Sequence, residues 1–509
     1  MQSTQKITEQ QQQLLHVQTS NYIEPEKNPS TSYTDQSNEH ISPDLDVSAV
    51  EPIIESTGVL DSPDPPELML KNFDQVETSD IDINLNVNEA GLGMESVLDV
   101  VIPDQHLEPD NNLNLTILQP LRAKLLPDGQ VLLTRKLIEA VQKFDRLWSG
   151  SITLLMEETN QEHDNLDGQI FNLNELPFNL QIVDFKKINP AELRNQTSLV
   201  LATLGYRQNH ISKICKEAGI PCIYVSEYSL KTRKQIVAVE TKNPLRRLRK
   251  NLWEQTQEWK QRNAIALADG LQCNGTPTYD AYRKINGDPL LFFDTRVTED
   301  MLATKEDIEK RTRELEDNMP LRLVFSGRLN RMKGADHLLD VATELRRMGI
   351  PFQLSISGAG ELEKSMHQRI AADGLGDCVE MMGVPNFKTV FFPFVKANAD
   401  LFICCHRQGD PSCTYTETMS CGVPIVGYAN EAFMGIVEHS QAGWLVEMDQ
   451  PKLLARKVAE LSRNREEIKA MSFNSLNFAR EHTFDKTFEA RIKHMKRIAR
   501  KRESCRQGV

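Results

Sequence analysis

Residues 321–349 read LRLVFSGRLNRMKGADHLLDVATELRRMG. The first six form a β-rich apolar run that ends at Gly327. Beyond the turn, Leu338, Val341 and Leu345 recur at helical spacing on one face. A strand passing through a short turn into a helix is the unit from which parallel α/β sheets are built. The turn carries two cations, Arg328 and Lys333, beside the N–H groups that open the helix. That combination suits a phosphate-bearing ligand. The spacing alone equally describes two solvated surface cations, and the choice between them rests on the rest of the chain.

Working outward, the same alternation continues downstream through FQLSISG, VEMMG, DLFICC, PIVGY and GWLV, each followed by a helical stretch. Upstream, SITLLMEE, LQIVDF, SLVLATLG, CIYVSEY and LLFFDTRV repeat it. Two such units predict an α/β fold of two Rossmann-like domains facing a cleft, with ligands at the carboxyl ends of the strands. Residues 299–319 are charged and read as the connection. The expected domains are an acidic, polar arm at 1–118, a first Rossmann-like domain at 119–310, a second at 311–480, and a terminal helix at 481–509.

Net charge is −13, but it is placed unevenly. The first 120 residues hold 22 Asp and Glu against 3 Lys and Arg, and the remainder is slightly basic. The acidity therefore belongs to the arm, whose scattered apolar residues predict disorder. Nine cysteines, several inside apolar runs, read as small buried hydrophobes of a reducing compartment. The sequence shows no Cys/His spacing for a metal, no signal peptide and no membrane-spanning run. A cytoplasmic protein is expected.

A second signal is QGDPSCTYTETMSCGVPIVGY, residues 408–428. A loop with Asp410 leads into a short helix bearing Glu417. Pro411 and Ser412 suit the helix start, and Gly422 suits its end. Glu417 is placed to accept hydrogen bonds from a ribose diol, or is an ordinary helix-surface acid. Gly358-Ala359-Gly360 lacks the third glycine of a dinucleotide fingerprint and stands on the second strand of its unit, which argues against a nicotinamide enzyme.

Taken together, Gly327, Arg328, Leu329, Lys333 and Gly334, followed by Glu417, Cys421, Gly422, Pro424, Ile425 and Val426, resemble the donor domain of retaining glycosyltransferases of family 4, which have the GT-B fold. SISGAGEL (355–362) and VEMMGVP (379–385) add to the resemblance, which is specific over about 320–480. It implies a hexose-type sugar passed from a nucleotide-diphosphate sugar to an acceptor hydroxyl, with retention and without a metal or other cofactor. Arg328 and Lys333 would stabilise the departing diphosphate. Glu417 would hold the ribose, the backbone around Glu380 the base, and Gly327, Gly358 and Gly360 would allow close approach to the ligand. The family's E-x7-E motif is incomplete: Gly409 stands at its first position. Asp410, one residue on, or the backbone of Ser412, Cys413 and Thr414 would then reach the sugar. Glu227, where many members have histidine, faces the cleft and touches the donor sugar or the acceptor, or is a strand-end acid. The terminal helix is expected to cross back to the first domain.

Two other readings stay open: a non-catalytic nucleotide-sugar-binding scaffold, motivated by the missing glutamate, and a nucleotide-sugar epimerase of the same fold. The expected acceptor is a saccharide or lipid-linked molecule. Residues 242–262 combine Leu245, Leu248, Leu252, Trp253 and Trp259 with a basic start, which reads either as a domain helix with a solvated basic face or as a peripheral contact with the inner face of a membrane. Neither basic stretch is interleaved with aromatics, so no nucleic acid partner is expected.

Overall fold

The computed structural model describes residues 113–159, 168–176, 178–313 and 319–507. The acidic arm, up to residue 112, lies outside them. The first lobe is built on a parallel sheet of seven strands: β1 (Leu115–Leu118), β2 (Ile152–Met156), β3 (Asn179–Ile182), β4 (Leu199–Thr203), β5 (Cys222–Ser226), β6 (Gly270–Asn274) and β7 (Pro289–Phe292). Their spatial order is β7-β6-β5-β4-β1-β2-β3. The second lobe has six: β8 (Leu321–Ser326), β9 (Phe352–Ser357), β10 (Val379–Gly383), β11 (Leu401–Cys404), β12 (Ile425–Tyr428) and β13 (Gly443–Val446). Their order is β10-β9-β8-β11-β12-β13, all parallel. Both sheets thus wind outward in two directions from their first strand. The direction reverses beside β1 in one lobe and beside β8 in the other, and such switch points open a crevice at the strand ends.

β1 is fully buried, although its residues fall inside the stretch that composition assigns to the arm. The polar segment before it masks a run of only four residues, Leu-Thr-Ile-Leu, so the first lobe starts earlier than 119. Asp128-Gly129 joins two antiparallel strands of a separate small sheet. Six helices matter below: α1 (Leu230–Glu240), α2 (Pro244–Leu267), α3 (Ala335–Arg347), α4 (Cys413–Ser420), α5 (Glu431–Ser440) and α6 (Phe484–Gln507).

The strands of the second lobe carry apolar residues on both faces because helices cover both sides. Leu323, Phe325, Leu338, Leu339, Leu345, Phe402 and Ile403 lie in one continuous core. Two arginines brace it, Arg322 from β8 and Arg311 from the connection. Arg322 grips Asp400 (Nη2 to Oδ1 2.8 Å, Nε to Oδ2 3.1 Å). Buried Arg311 donates to the carbonyls of Lys396 at 2.9 Å, Cys421 at 2.8 Å and Gly422, closing the end of α4. α6 returns to the first lobe, where Phe488, Ile492, Met495 and Ile498 join the core of β1, β4 and β5. Arg497 pairs with Asp288 through both carboxylate oxygens at 2.6 and 2.7 Å.

His482, between the helix at Arg465–Glu481 and α6, packs on Phe478 (ring centroids 4.3 Å) and Phe293 (4.9 Å). Burial holds its imidazole down to about 4, with His439 adding to the effect. The unfolded chain therefore takes up this proton first as pH falls, and the stability that neutral His482 contributes is lost between about 6.5 and 4. His482→Gln is expected to lose less stability than the wild type across that window. Denaturant unfolding of both proteins at pH 7 and 4.5 checks this.

Candidate functional site

The switch point of the second sheet brings two loops together. One leaves β8 (residues 327–334) and the other leaves β11 (residues 405–412). Lys333 and Asp410 meet there, with Nζ to Oδ2 at 2.7 Å, and Ser412 Oγ lies 3.4 Å from the same ammonium. Their side chains are only 4% and 1% exposed. Charged groups at this depth are costly to leave unpaired, and here each is set against the other. Asp410 is thus brought to Lys333, across 77 positions of sequence.

The loop holding Lys333 is over-determined. Its backbone N–H donates to Asn330 Oδ1 at 2.9 Å. Gly334 has φ +68°, and a Cβ there would stand 2.0 Å from the Cys405 carbonyl oxygen, so only glycine lets the two loops touch. Arg407, on the second loop, reaches back to the first: Nη1 donates to Arg331 O at 2.7 Å and to Asp336 Oδ1 at 2.8 Å. Its Nε donates to Asp449 Oδ1 at 2.6 Å.

Arg328 is half-buried, and its charge is felt by Glu240 of the first lobe. The Glu240 carboxyl at the end of α1 is pushed up by desolvation and drawn back down by the Lys250 and Arg328 charges. Gly327, Gly358 and Gly360 lie together, but what approaches them is protein. A Cβ on Gly358 would sit 1.9 Å from Gly327 O, and one on Gly360 would sit 2.7 Å from Leu329 O. The hydrogen bond from Leu329 N–H to Ala359 O, at 2.9 Å, stitches the loops together. The glycines at 358 and 360 are therefore required by loop-on-loop packing, whatever else comes near them.

Glu417 lies inside α4 and is paired: Arg296 Nε donates to its Oε1 at 2.6 Å. The Arg296 guanidinium also stacks 3.5 Å over the Phe387 ring, in the segment following β10. Glu380 is exposed on that edge strand, whose backbone is the part proposed for the base. Ser412 is buried beside Lys333, Cys413 Sγ contacts Asp294 Oδ2 at 3.6 Å, and Thr414 is half-buried in the first turn of α4. Glu227 follows β5 on the first lobe. Burial draws the Arg491 guanidinium down while Asp294 and Glu227 counter it, so both acids lie near that cation.

The first lobe closes onto the second through α1. Gln235 Oε1 accepts from Gly409 N–H at 3.1 Å, and Thr232 Oγ1 donates to Gly409 O at 3.2 Å. Ser229 Oγ donates to Glu431 Oε2 at 3.1 Å, and Lys231 lies 3.2 Å from Oε1. A Cβ on Gly409 would come within 3.0 Å of Glu431 Cβ and 3.2 Å of Thr232 Oγ1. The glycine at the broken E-x7-E position is therefore matched to a first-lobe helix pressed against it. A small cavity between the lobes is lined by Asn274, Asp294, Pro411, Ser412 and Tyr415, among others.

Sequence reasoning missed Arg296, Asp294, Arg407 and the α1 side chains. Arg296 and Asp294 lie just past the end of β7, which was a usable signal, since crevice residues follow strand ends. Nothing in the local pattern marks the others. Among the described residues no group of His, Cys, Asp and Glu is arranged to hold a metal, and no helix is long and apolar enough to cross a membrane.

Residues 306–477 match the family described as Glycosyl transferases group 1. WcaL of Salmonella typhimurium, named for glycosyl transfer in colanic acid biosynthesis, is 31% identical over 160 residues, or 28% of this chain and 37% of WcaL. AmsK of Erwinia amylovora, named as an amylovoran biosynthesis glycosyltransferase, is 27% identical over 157 residues, or 30% of this chain and 38% of AmsK. The chain thus spans little more than a third of the length of these curated relatives. Anabaena HepE, crystallised with UDP, superposes over 75% of this chain and 98% of its own, with a TM-score of 0.50 and 14% identity. Sucrose-phosphate synthase from Thermosynechococcus elongatus does so over 76% and 98%, with a TM-score of 0.50 and 15% identity. Residues 306–477 therefore carry a glycosyl transferases group 1 domain, and the two lobes have the GT-B architecture.

Gly334→Ala is expected to cost about 2 kcal/mol or more, combining positive-φ strain with overlap at Cys405. Gly349→Ala has the same φ, +68°, but nothing within 4 Å of the new Cβ. It should cost about 1 kcal/mol. Urea unfolding of both variants checks the difference.

Proposed function

We propose that this chain is a glycosyltransferase that moves a hexose-type sugar from a nucleotide-diphosphate sugar to an acceptor hydroxyl, with retention of configuration and without a metal. The observation that carries the reading is Lys333, a buried ammonium held at the switch point of a group 1 domain, with Arg328 on the same turn, close enough to the other lobe for Glu240 to feel its charge. HepE, a structural neighbour, was crystallised with UDP, and relatives of the second lobe are named for polysaccharide biosynthesis.

In this reading the donor's diphosphate lies along the turn between Arg328 and Lys333. As the bond from the sugar's anomeric carbon to the phosphate oxygen breaks, negative charge builds on the leaving diphosphate. The two cations stabilise that charge more than they stabilise the intact donor, which lowers the barrier. The acceptor oxygen then bonds the anomeric carbon from the face the phosphate leaves, and its proton passes to a phosphate oxygen. Asp410 and the backbone of Ser412, Cys413 and Thr414 border the sugar. Glu417 binds the ribose, which requires Arg296 to share or release it. Glu227 lines the acceptor side.

The scaffold reading draws on one observation. Lys333 and Glu417 each already hold an internal partner, so a nucleotide must displace or share both. Release of nucleoside diphosphate from a panel of nucleotide sugars separates the two readings: binding without release supports the scaffold. For the transferase, Lys333→Ala should lower turnover by about 100-fold or more while the fold survives. Unchanged turnover in that variant would overturn the transferase reading. Excess chelator should leave the rate intact.

Asp410 and the diphosphate compete for one ammonium. Asp410→Asn is therefore expected to bind nucleoside diphosphate about tenfold more tightly, a difference of about 1.4 kcal/mol, with turnover lowered. Titration calorimetry reads the affinity.

A further inference from the structure

α2 has its amphipathic character reversed. Asn243 caps it, its Oδ1 accepting from Leu245 N–H at 2.9 Å and Arg246 N–H at 3.2 Å, and Pro244 opens the first turn. The inward side is largely polar: Glu254, Gln257, Glu258 and Gln261 are buried with Ala264 and Ile265. Both acids are spent on Arg233 of α1, with Nε to Glu254 Oε2 and Nη2 to Glu258 Oε2 each 2.8 Å. Tyr282 Oη donates to Glu258 as well, at 2.9 Å.

The outward side carries the large apolar residues. Leu245 is 77% exposed, Leu248 58%, Leu252 63% and Trp259 66%. They stand at i, i+3, i+7 and i+14, which a period of 3.6 residues places in one narrow stripe. A surface helix normally turns such a stripe inward, and an outward one points to something that covers it.

The charge around the stripe says what that is. Lys242, Arg246, Arg249, Lys260 and Arg262 are exposed. The acids within α2, Glu254 and Glu258, both face inward. Apolar side chains rimmed by cations match the acyl boundary and phosphate headgroups of an anionic bilayer. We propose that α2 lies in the interface of an anionic lipid membrane, with Leu245, Leu248, Leu252 and Trp259 inserted and the surrounding cations on the headgroups.

The location of α2 adds to the argument. Glu240 feels both Lys250 in the second turn of α2 and Arg328 on the Lys333 loop, so the start of α2 lies at the rim of the crevice. A bilayer held there presents its surface to the crevice mouth. Under the proposed function, a lipid-linked acceptor would arrive at that mouth. Docking itself needs no donor, so its test is independent of the transferase reading.

The test is co-sedimentation of the full chain with phosphatidylcholine vesicles, with and without phosphatidylglycerol. The expected result is binding at least about tenfold stronger to the anionic vesicles, falling as salt is raised. A Leu248→Asn, Leu252→Asn, Trp259→Gln variant keeps every cation and should lose binding by about tenfold or more. Arg246→Glu with Arg249→Glu should lose the preference for anionic vesicles. Blue-shifted emission on binding that disappears in Trp259→Phe would place this ring in the interface. All the substituted side chains are exposed, so thermal melting of the variants should match the wild type. Failure of the wild type to bind anionic vesicles at low salt overturns the proposal. So does equal binding by the apolar variant, which would mean charge adsorption alone. A stable dimer that the apolar variant dissolves would overturn it too, by giving the stripe to a second copy.

Discussion

The buried pair between Lys333 and Asp410 is the constraint around which the second lobe is arranged. Taking two charges out of water costs several kcal/mol per ion, and the cost is recovered only if they meet closely. Meeting at 2.7 Å requires the loops after β8 and β11 to hold one fixed separation. The sheet order supplies it, because these strands are neighbours and both leave the sheet at the same edge. Gly334 permits the loops to touch, and Arg407 ties one to the other. Arg311 closes the far end of α4, which follows directly from the Asp410 loop. Each support removes a way for the two charges to drift apart.

What the sequence makes legible here follows from how local the signal is. The strand, turn and helix at 321–349 sit within one window, so periodicity and the Gly327 break reveal them. The same holds for the 408–428 segment. The partner of Lys333 is another matter. Asp410 is distant in sequence, and only the winding order of the sheet makes the two neighbours. Arg296 and Glu417 lie 121 positions apart and belong to different supports. β1 escaped because three apolar residues and a threonine cannot register against a polar stretch of more than a hundred. Gly358 and Gly360 were legible as sites of close approach, but sequence does not say what approaches. The answer is the 327–329 backbone, a tertiary fact.

The first lobe contributes to the same region from the opposite side. α1 holds Gly409 by both its N–H and its carbonyl, and holds Glu431 by Ser229 and Lys231. The residue next to Gly409 is Asp410. Any shift of α1 against the second lobe therefore acts on the backbone that positions the Lys333 partner. Under the proposed function this links opening of the crevice to the state of the ion pair, through peptide groups rather than through a flexible side chain. It also gives a reason for glycine at 409. A larger side chain would press on Thr232 and Glu431, and the lobes could not approach as closely.

A resting site whose charges are already matched bears on how a donor would be handled. Lys333 is paired with Asp410 and Arg296 with Glu417, so these four charges are balanced before anything binds. An arriving diphosphate must compete with Asp410 for Lys333, which weakens binding of the intact donor. As the sugar departs, the diphosphate gains a full negative charge that Asp410 does not. The competition then tilts toward the leaving group at the moment the barrier is crossed. Uniform binding to both states would leave the barrier unchanged, whereas a cation that shifts allegiance as charge develops lowers it. The carboxylate that looks like an obstacle to the donor is, on this argument, what keeps Lys333 buried and aimed until the diphosphate displaces it.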